Sequence, residues 1–176
     1  LDGYNETSGV TLPANGSYVQ IATDGTLNNQ QQLNKQIAWQ GLITFSQQSN
    51  FKTNISFTNT TNQTIYVVVG NTNYYGFKII DSTLYGVTYD GATEKTISLQ
   101  SITATTYNLE ARYTPNDKVI FLVNAVEKGV IVANLPSATD TSNIHLMDIT
   151  VKATAVEVKT IQVSFFEYLQ TRNILQ

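Results

Sequence analysis

The most regular hydrophobic pattern in the chain lies between residues 106 and 136. Tyr107, Leu109, Ala111 and Tyr113 alternate with Asn108, Glu110 and Arg112, the period-two signature of a strand with one buried face. Val119, Phe121 and Val123 also alternate, but Ile120 and Leu122 between them are apolar, so this strand is expected to be covered on both sides. A Pro115-Asn116-Asp117 turn joins the two, and an apolar run from Val130 completes an antiparallel meander.

The same reading extends in both directions. Strands are expected over 17–22, 36–46, 51–58, 64–70, 74–80, 83–89, 96–99, 144–153 and 156–169. Trp39 shares a strand face with Ile37 and Ile43, which favours the core for it, and in the last strand Ile161, Val163 and Phe165 alternate with Gln162, Ser164 and Phe166. Asp90-Gly91 is a hairpin signal of the kind in which both turn residues need positive φ. The Gln/Asn-rich run 28–34 reads as a solvated loop, with a short helix or a docking arm as the sharper alternative. No segment carries a sustained 3.6-residue apolar period, and Pro13, Pro115 and Pro136 all fall between strands. About a dozen short strands at this spacing make an all-β, antiparallel two-sheet sandwich. Residues 1–35 are expected to be polar N-terminal arm and loops with one short strand, packed on or extending from the domain, and 36–176 the sandwich domain.

Composition narrows the chemistry. Only 13% of the 176 residues are charged, about half the usual ~25%, and polarity comes from Thr, Asn, Gln and Ser instead. A net charge of −3 with no basic cluster argues against a nucleic-acid footprint. No stretch approaches the ~20 apolar residues of a membrane span, so no membrane insertion is expected. With 0 cysteines there are no disulfides, thiolate metal sites or cysteine nucleophiles. His145 is the one histidine, which leaves no histidine metal cluster within a chain, and it reads as a strand residue of intermediate polarity. Asp81, Asp90, Asn71 and Asn73 place oxygens on neighbouring loops, but turn chemistry accounts for all four, so no metal or other cofactor is expected.

Aromatic residues are the best candidates for recognition. A sugar offers an apolar face to an aromatic ring while amides and carboxylates bond its hydroxyls. Tyr74, Tyr75, Tyr85 and Tyr89 surround two neighbouring turns beside Asn71, Asn73 and Asp90, the one place where aromatics and amides cluster, and these seven form the expected glycan site. The competing reading is that the tyrosines are core with a hydroxyl at its edge.

Three stretches carry a family resemblance. They are Asn73-Tyr-Tyr-Gly-Phe-Lys-Ile-Ile with Leu84-Tyr-Gly-Val-Thr-Tyr-Asp-Gly, Tyr107-Asn-Leu-Glu-Ala-Arg-Tyr with Lys118-Val-Ile-Phe-Leu-Val-Asn and Asn134-Leu-Pro, and Val163-Ser-Phe-Phe-Glu-Tyr-Leu-Gln-Thr-Arg. Over 51–172 the chain resembles the concanavalin A-like lectin/glucanase (laminin-G-like) sandwich found in many bacteriophage tail and fibre proteins. The resemblance implies a jelly roll whose final strand runs beside the first. It departs at Asn124, followed by Ala125 where the family has Gly; a Cβ disfavours positive φ, so the turn is expected to shift to 127–129 and the strand end to be longer or bulged.

The glucanase branch works with closely alternating acids of the type Glu-x-Asp-x-x-Glu, and no such run occurs here: Glu110, Asp148, Glu157 and Glu167 are isolated. The resemblance therefore implies a non-enzymatic virion structural protein (tail, fibre or head decoration) at the virion surface or otherwise extracellular. Its expected partners are copies of itself, with a trimer favoured, other virion proteins and a host-surface glycan. The alternative is a carbohydrate-binding module or adhesin domain of a secreted cellular protein.

Overall fold

The computed structural model describes residues 5–11, 17–36, 44–137 and 145–171. Among them there are fourteen strands and no helix. The first sheet runs, in spatial order, β1 (Asn5–Glu6), β4 (Gln30–Gln36), β13 (His145–Ala153), β6 (Gln63–Gly70), β7 (Tyr74–Ile80), β8 (Thr83–Tyr89) and β9 (Glu94–Ser101). The second runs β12 (Val126–Ile131), β11 (Lys118–Val123), β10 (Thr106–Thr114), β5 (Ser49–Phe57), β14 (Thr160–Gln170), β3 (Val19–Ala22) and β2 (Val10–Thr11). All pairings are antiparallel. The meander of the opening pattern is β10-β11-β12, and the last strand lies between β3 and β5.

Alternation builds the core. In β5 every second residue from Ser49 to Phe57 is buried, and in β10 the buried set is Tyr107, Leu109, Ala111 and Tyr113. These side chains meet Tyr75, Phe77 and Ile79 of the opposite sheet. Phe77 stands edge-on to both Phe51 and Phe121, with ring centroids 6.0 and 5.6 Å away, and Tyr75 stacks on Tyr113 at 5.2 Å. Each such ring contributes about 1.5–3 kcal/mol by leaving water. Gly86 makes room for Phe121: a Cβ there would sit 2.5 Å from its Cδ2.

Three expectations about single elements are corrected. The Gln/Asn run is strand β4, paired with β1 and β13, so neither a loop nor a helix forms. Its composition is polar, yet Gln31 and Leu33 turn inward at 6% and 1% exposure while Gln32 and Asn34 are half-buried outside. Strands β1 to β4 thus belong to both sheets, and position 35 falls inside β4. The Asp90-Gly91 hairpin is a four-residue loop, with Tyr89 paired to Glu94; only Gly91 has positive φ, and the Asp90 carboxylate closes the loop by accepting the Ala92 and Thr93 amides at 2.9 and 2.7 Å. The last strand begins at Thr160 rather than at 156, and a bulge between Val163 and Phe165 turns Phe165 outward and Phe166 inward, reversing the expected alternation. The expected strand at 36–46 and Trp39 fall largely or wholly outside the described residues.

The turn after β11 stays at Asn124-Ala125, whose φ values are 51° and 65°. Cross-strand pairing of Val123 with Val126 outweighs the cost of a left-handed alanine, and Asn124 ties the turn to β10 through Asn108, accepting from its amide at 3.0 Å and donating to its carbonyl at 2.8 Å. The strand beyond is bulged, as expected: Leu122 faces Glu127 but Phe121 faces Gly129. Ala125→Gly is expected to raise stability by about 0.5–1 kcal/mol, because glycine relieves the left-handed strain but loses more chain entropy. A urea titration that shows a lower midpoint instead would refute this.

Candidate functional site

The outward face of the first sheet gathers the aromatic residues. Strand register sets Tyr66 of β6 beside Lys78 of β7, and Lys78 beside Tyr85 of β8. Four residues along the strands, Tyr74 faces Tyr89, and Tyr89 faces Glu94 of β9. On the other side of β6, Asp148 and Thr150 of β13 lie opposite Val68 and Tyr66.

Glu94 is the electrostatic centre of this face. Its Oε2 accepts from the hydroxyls of Tyr74 and Tyr66, at 2.8 and 3.1 Å, and its Oε1 accepts from Lys78 Nζ at 2.6 Å. Lys78 also lies over the Tyr66 ring, 4.9 Å from its centroid, and Tyr74 stacks on Tyr89 at 5.1 Å. Burial opposes charge on Glu94, but bonds from Lys78 and Tyr74 outweigh it and hold the carboxyl below its ordinary range. Burial likewise opposes charge on Lys78, and its bonds to Glu94 and Tyr66 reverse that, raising its pKa. Burial first, and then the Glu94 carboxylate, push the Tyr74 hydroxyl up, so it stays a donor.

A carboxyl with a depressed pKa contributes stability above the ordinary carboxylate range and loses it as pH falls through the folded value. Glu94→Gln is therefore expected to cost about 1–2 kcal/mol at neutral pH and to flatten the loss of stability below pH ~4.5. Parallel pH–stability curves for the two proteins would overturn that assignment.

Beside this network is a hollow of about 250 Å³. Tyr66, Tyr74 and Val68 form its apolar wall, and Gln30, Asn71, Asp148 and Thr150 its polar side. Gln32 Nε2 donates to both Asp148 oxygens, at 3.0 and 2.9 Å, and Thr150 donates to one at 3.2 Å, which fixes the carboxylate's orientation. Gly70, at φ 96°, shapes the rim: a Cβ there would meet the Asn73 carbonyl at 2.0 Å. The chemistry is that of a shallow polyol site, with ring faces on one side and oriented hydrogen-bonding groups on the other.

The seven residues expected from the sequence divide. Asn71 and Tyr74 line the hollow, and Tyr89 supports Tyr74 from behind. Tyr85 is on the same face but beside Lys78. Asn73 is buried, its Oδ1 2.9 Å from where a Gly91 Cβ would lie. Asp90 is committed to its loop and to Asn134, which donates to it at 3.0 Å; backbone bonds from Thr93 and then the Asn134 bond lower its pKa. Tyr75 points into the core at 0% exposure, its hydroxyl 2.8 Å from Ser49 Oγ, which removes it from any ligand surface. Sequence reasoning missed Tyr66, Lys78 and Glu94 as a group, and treated Asp148 as an isolated acid. The one local signal was alternation in β6, where Tyr66 falls between inward Ile65 and Val67. Among the described residues no group of three or more His, Asp or Glu side chains converges as a metal site, and no helix is long and apolar enough to cross a membrane.

No protein-family model and no curated protein matches the sequence. Solved structures do match. A sialidase superposes with a TM-score of 0.67 at 10% identity, over 96% of this chain and 17% of its own. Botulinum neurotoxin type C, whose cell entry is dependent upon interaction with two ganglioside molecules, gives 0.67 at 11% identity over 94% and 42%. A β-1,3-glucanase from Mycobacterium marinum gives 0.63 at 11% identity over 88% and 75%. The fold is a lectin-like jelly roll. Its two-sheet build is thus shared with binding domains and enzymes alike, and the chain spans less than half the length of the sialidase and the neurotoxin.

Proposed function

We propose that this jelly roll is a non-enzymatic glycan-binding domain, carried at the surface of a virion and recognising a neutral host-surface sugar. The hollow between Tyr66, Tyr74 and Asp148 carries the reading. It joins an aromatic wall to an oriented carboxylate, the pairing that suits a sugar ring with adjacent hydroxyls. Asp148 is the one charged side chain among the described residues lining it, while the Lys78 ammonium is held by Glu94, so an acidic sugar would meet a carboxylate without a counter-cation. The ganglioside dependence of the neurotoxin and the glucanase among the matching structures support a carbohydrate ligand in general terms.

Two observations support binding without hydrolysis. A glycosidase acid needs a raised pKa, whereas Glu94 is held low by its donors. Asp148 is tied on both oxygens by Gln32. On a glycan array the labelled protein is expected to retain neutral oligosaccharides and to pass over sialylated and sulfated ones. Binding confined to acidic glycans would overturn the neutral assignment, and an array blank for all classes would overturn glycan binding.

The virion setting rests on the family resemblance, and with it the copies of itself, a trimer favoured, as partners. Light scattering on a size-exclusion column that finds a strict monomer at high concentration would count heavily against it. One observation favours a module of a secreted cellular protein instead: the matching sandwich is 17% of the sialidase chain and 42% of the neurotoxin chain. Antibody against this domain separates the two settings by labelling purified particles or the cell surface.

A further inference from the structure

The outward face of the second sheet, on the far side of the sandwich, carries a feature that its core does not require. The apolar alternation of β14 through Ile161 and Val163 would bury Phe165, but the bulge at Ser164 sends it outward, where it is 45% exposed. Register then sets Phe165 beside Asn54 of β5, and Asn54 beside Asn108 of β10, whose amide is bonded to the Asn124 side chain of the next turn. One aromatic ring thus heads a row of three asparagines across the sheet. The adjacent row is Glu167, Lys52 and Glu110. Between these rows lies a hollow of about 330 Å³, lined by Phe165, Asn108, Asn124, Ala125, Lys52 and Glu110 among others.

Two exposed amides, those of Asn108 and Asn124, line this hollow. A bulge that re-aims an aromatic side chain beside exposed amides is the arrangement of a recognition surface rather than of a sheet exterior. The charges in the second row offset one another, Lys52 lying 4.0 Å from Glu167 and Arg112 bonded to Glu110 at 2.7 Å, so the hollow selects for hydroxyl donors and an apolar ring face rather than for an ion.

We infer that this face is a second carbohydrate site, taking a neutral oligosaccharide whose ring stacks on Phe165 and whose hydroxyls bond the exposed side chains of Asn108 and Asn124. The domain then binds glycan on both sides of its sandwich. This inference does not rest on the Tyr66–Tyr74 hollow and is tested with that hollow disabled. In ¹⁵N-labelled Tyr74→Ala protein, the side-chain amide signals of Asn54, Asn108 and Asn124 are followed against cellohexaose, maltohexaose, laminarihexaose and N-acetylchitohexaose. At least one is expected to shift them saturably, with affinity falling tenfold or more in Tyr74→Ala/Phe165→Ala and retained in Tyr74→Ala/Phe165→Tyr. The absence of saturable shifts at millimolar sugar, or shifts indifferent to Phe165, overturns the second site. Equal affinity of wild type and Tyr74→Ala with these shifts retained would instead overturn only the first site.

Discussion

Tyr74→Ala is expected to weaken glycan binding about 100-fold, which corresponds to about 2.7 kcal/mol. Tyr74 is a wall of the hollow, and its own position depends on the Tyr89 ring behind it and the Glu94 carboxylate at its tip. Removing the ring deletes the stacking surface and frees Glu94 from one of its three donors. Tyr74→Phe separates these effects: it keeps the face and loses the hydroxyl, so affinity should fall by less than tenfold. Asp148→Asn, which keeps the shape but exchanges an acceptor for a donor, should weaken binding by roughly tenfold. Titration calorimetry with the best array ligand gives all three numbers. Equal affinity for wild type and Tyr74→Ala would move the site elsewhere.

The largest effect on stability is expected from one added methyl group. Gly86→Ala places a Cβ against the Phe121 ring, 2.5 to 2.7 Å from three of its atoms, in the middle of the core. Phe121 cannot withdraw freely because Phe77 is packed edge-on to it. The expected loss is about 2–3 kcal/mol, at the high end for overpacking. Phe121→Leu alone should also destabilise, by emptying part of the ring's volume. Combined, the two should cost less than their sum, with a coupling of about 1 kcal/mol or more, because the smaller side chain yields the space that the methyl needs. Strict additivity in guanidinium unfolding would show that the Gly86–Phe121 approach is not what limits packing here.

Most strands could be read from the sequence because their patterns are local. Alternation in β5 and β10 depends on nothing beyond the strand itself, and the continuous apolar run of β6 follows from its place inside the first sheet. β4 escaped because composition was weighed above period: its glutamines are polar, yet Gln31 and Leu33 keep the inward beat. Phe165 escaped because one bulge residue inverts every later side chain. The candidate site was legible only in part. Tyr74 and Tyr75 are adjacent on one strand, so they face opposite ways and one had to be lost to the core. Tyr66, Lys78 and Glu94 lie on three different strands, and only the pairing of β6, β7, β8 and β9 brings them together. Ala125 shows the limit of local propensity: its Cβ argues against the turn, but the ladder on either side decides the matter.

The position of the last two strands has a consequence for biosynthesis. β13 lies between β4 and β6, and β14 between β3 and β5, so both sheets remain split until the latest-made strands arrive. Until then β5 and β6 present open backbone edges, and the contacts that close them join residues about a hundred positions apart in sequence. A nascent chain lacking β14 has no way to complete its second sheet, so folding must wait for that strand to be released, and closure should be slow for a domain of this size. During that interval the exposed β5 edge is where a holding chaperone, or another nascent copy, would attach.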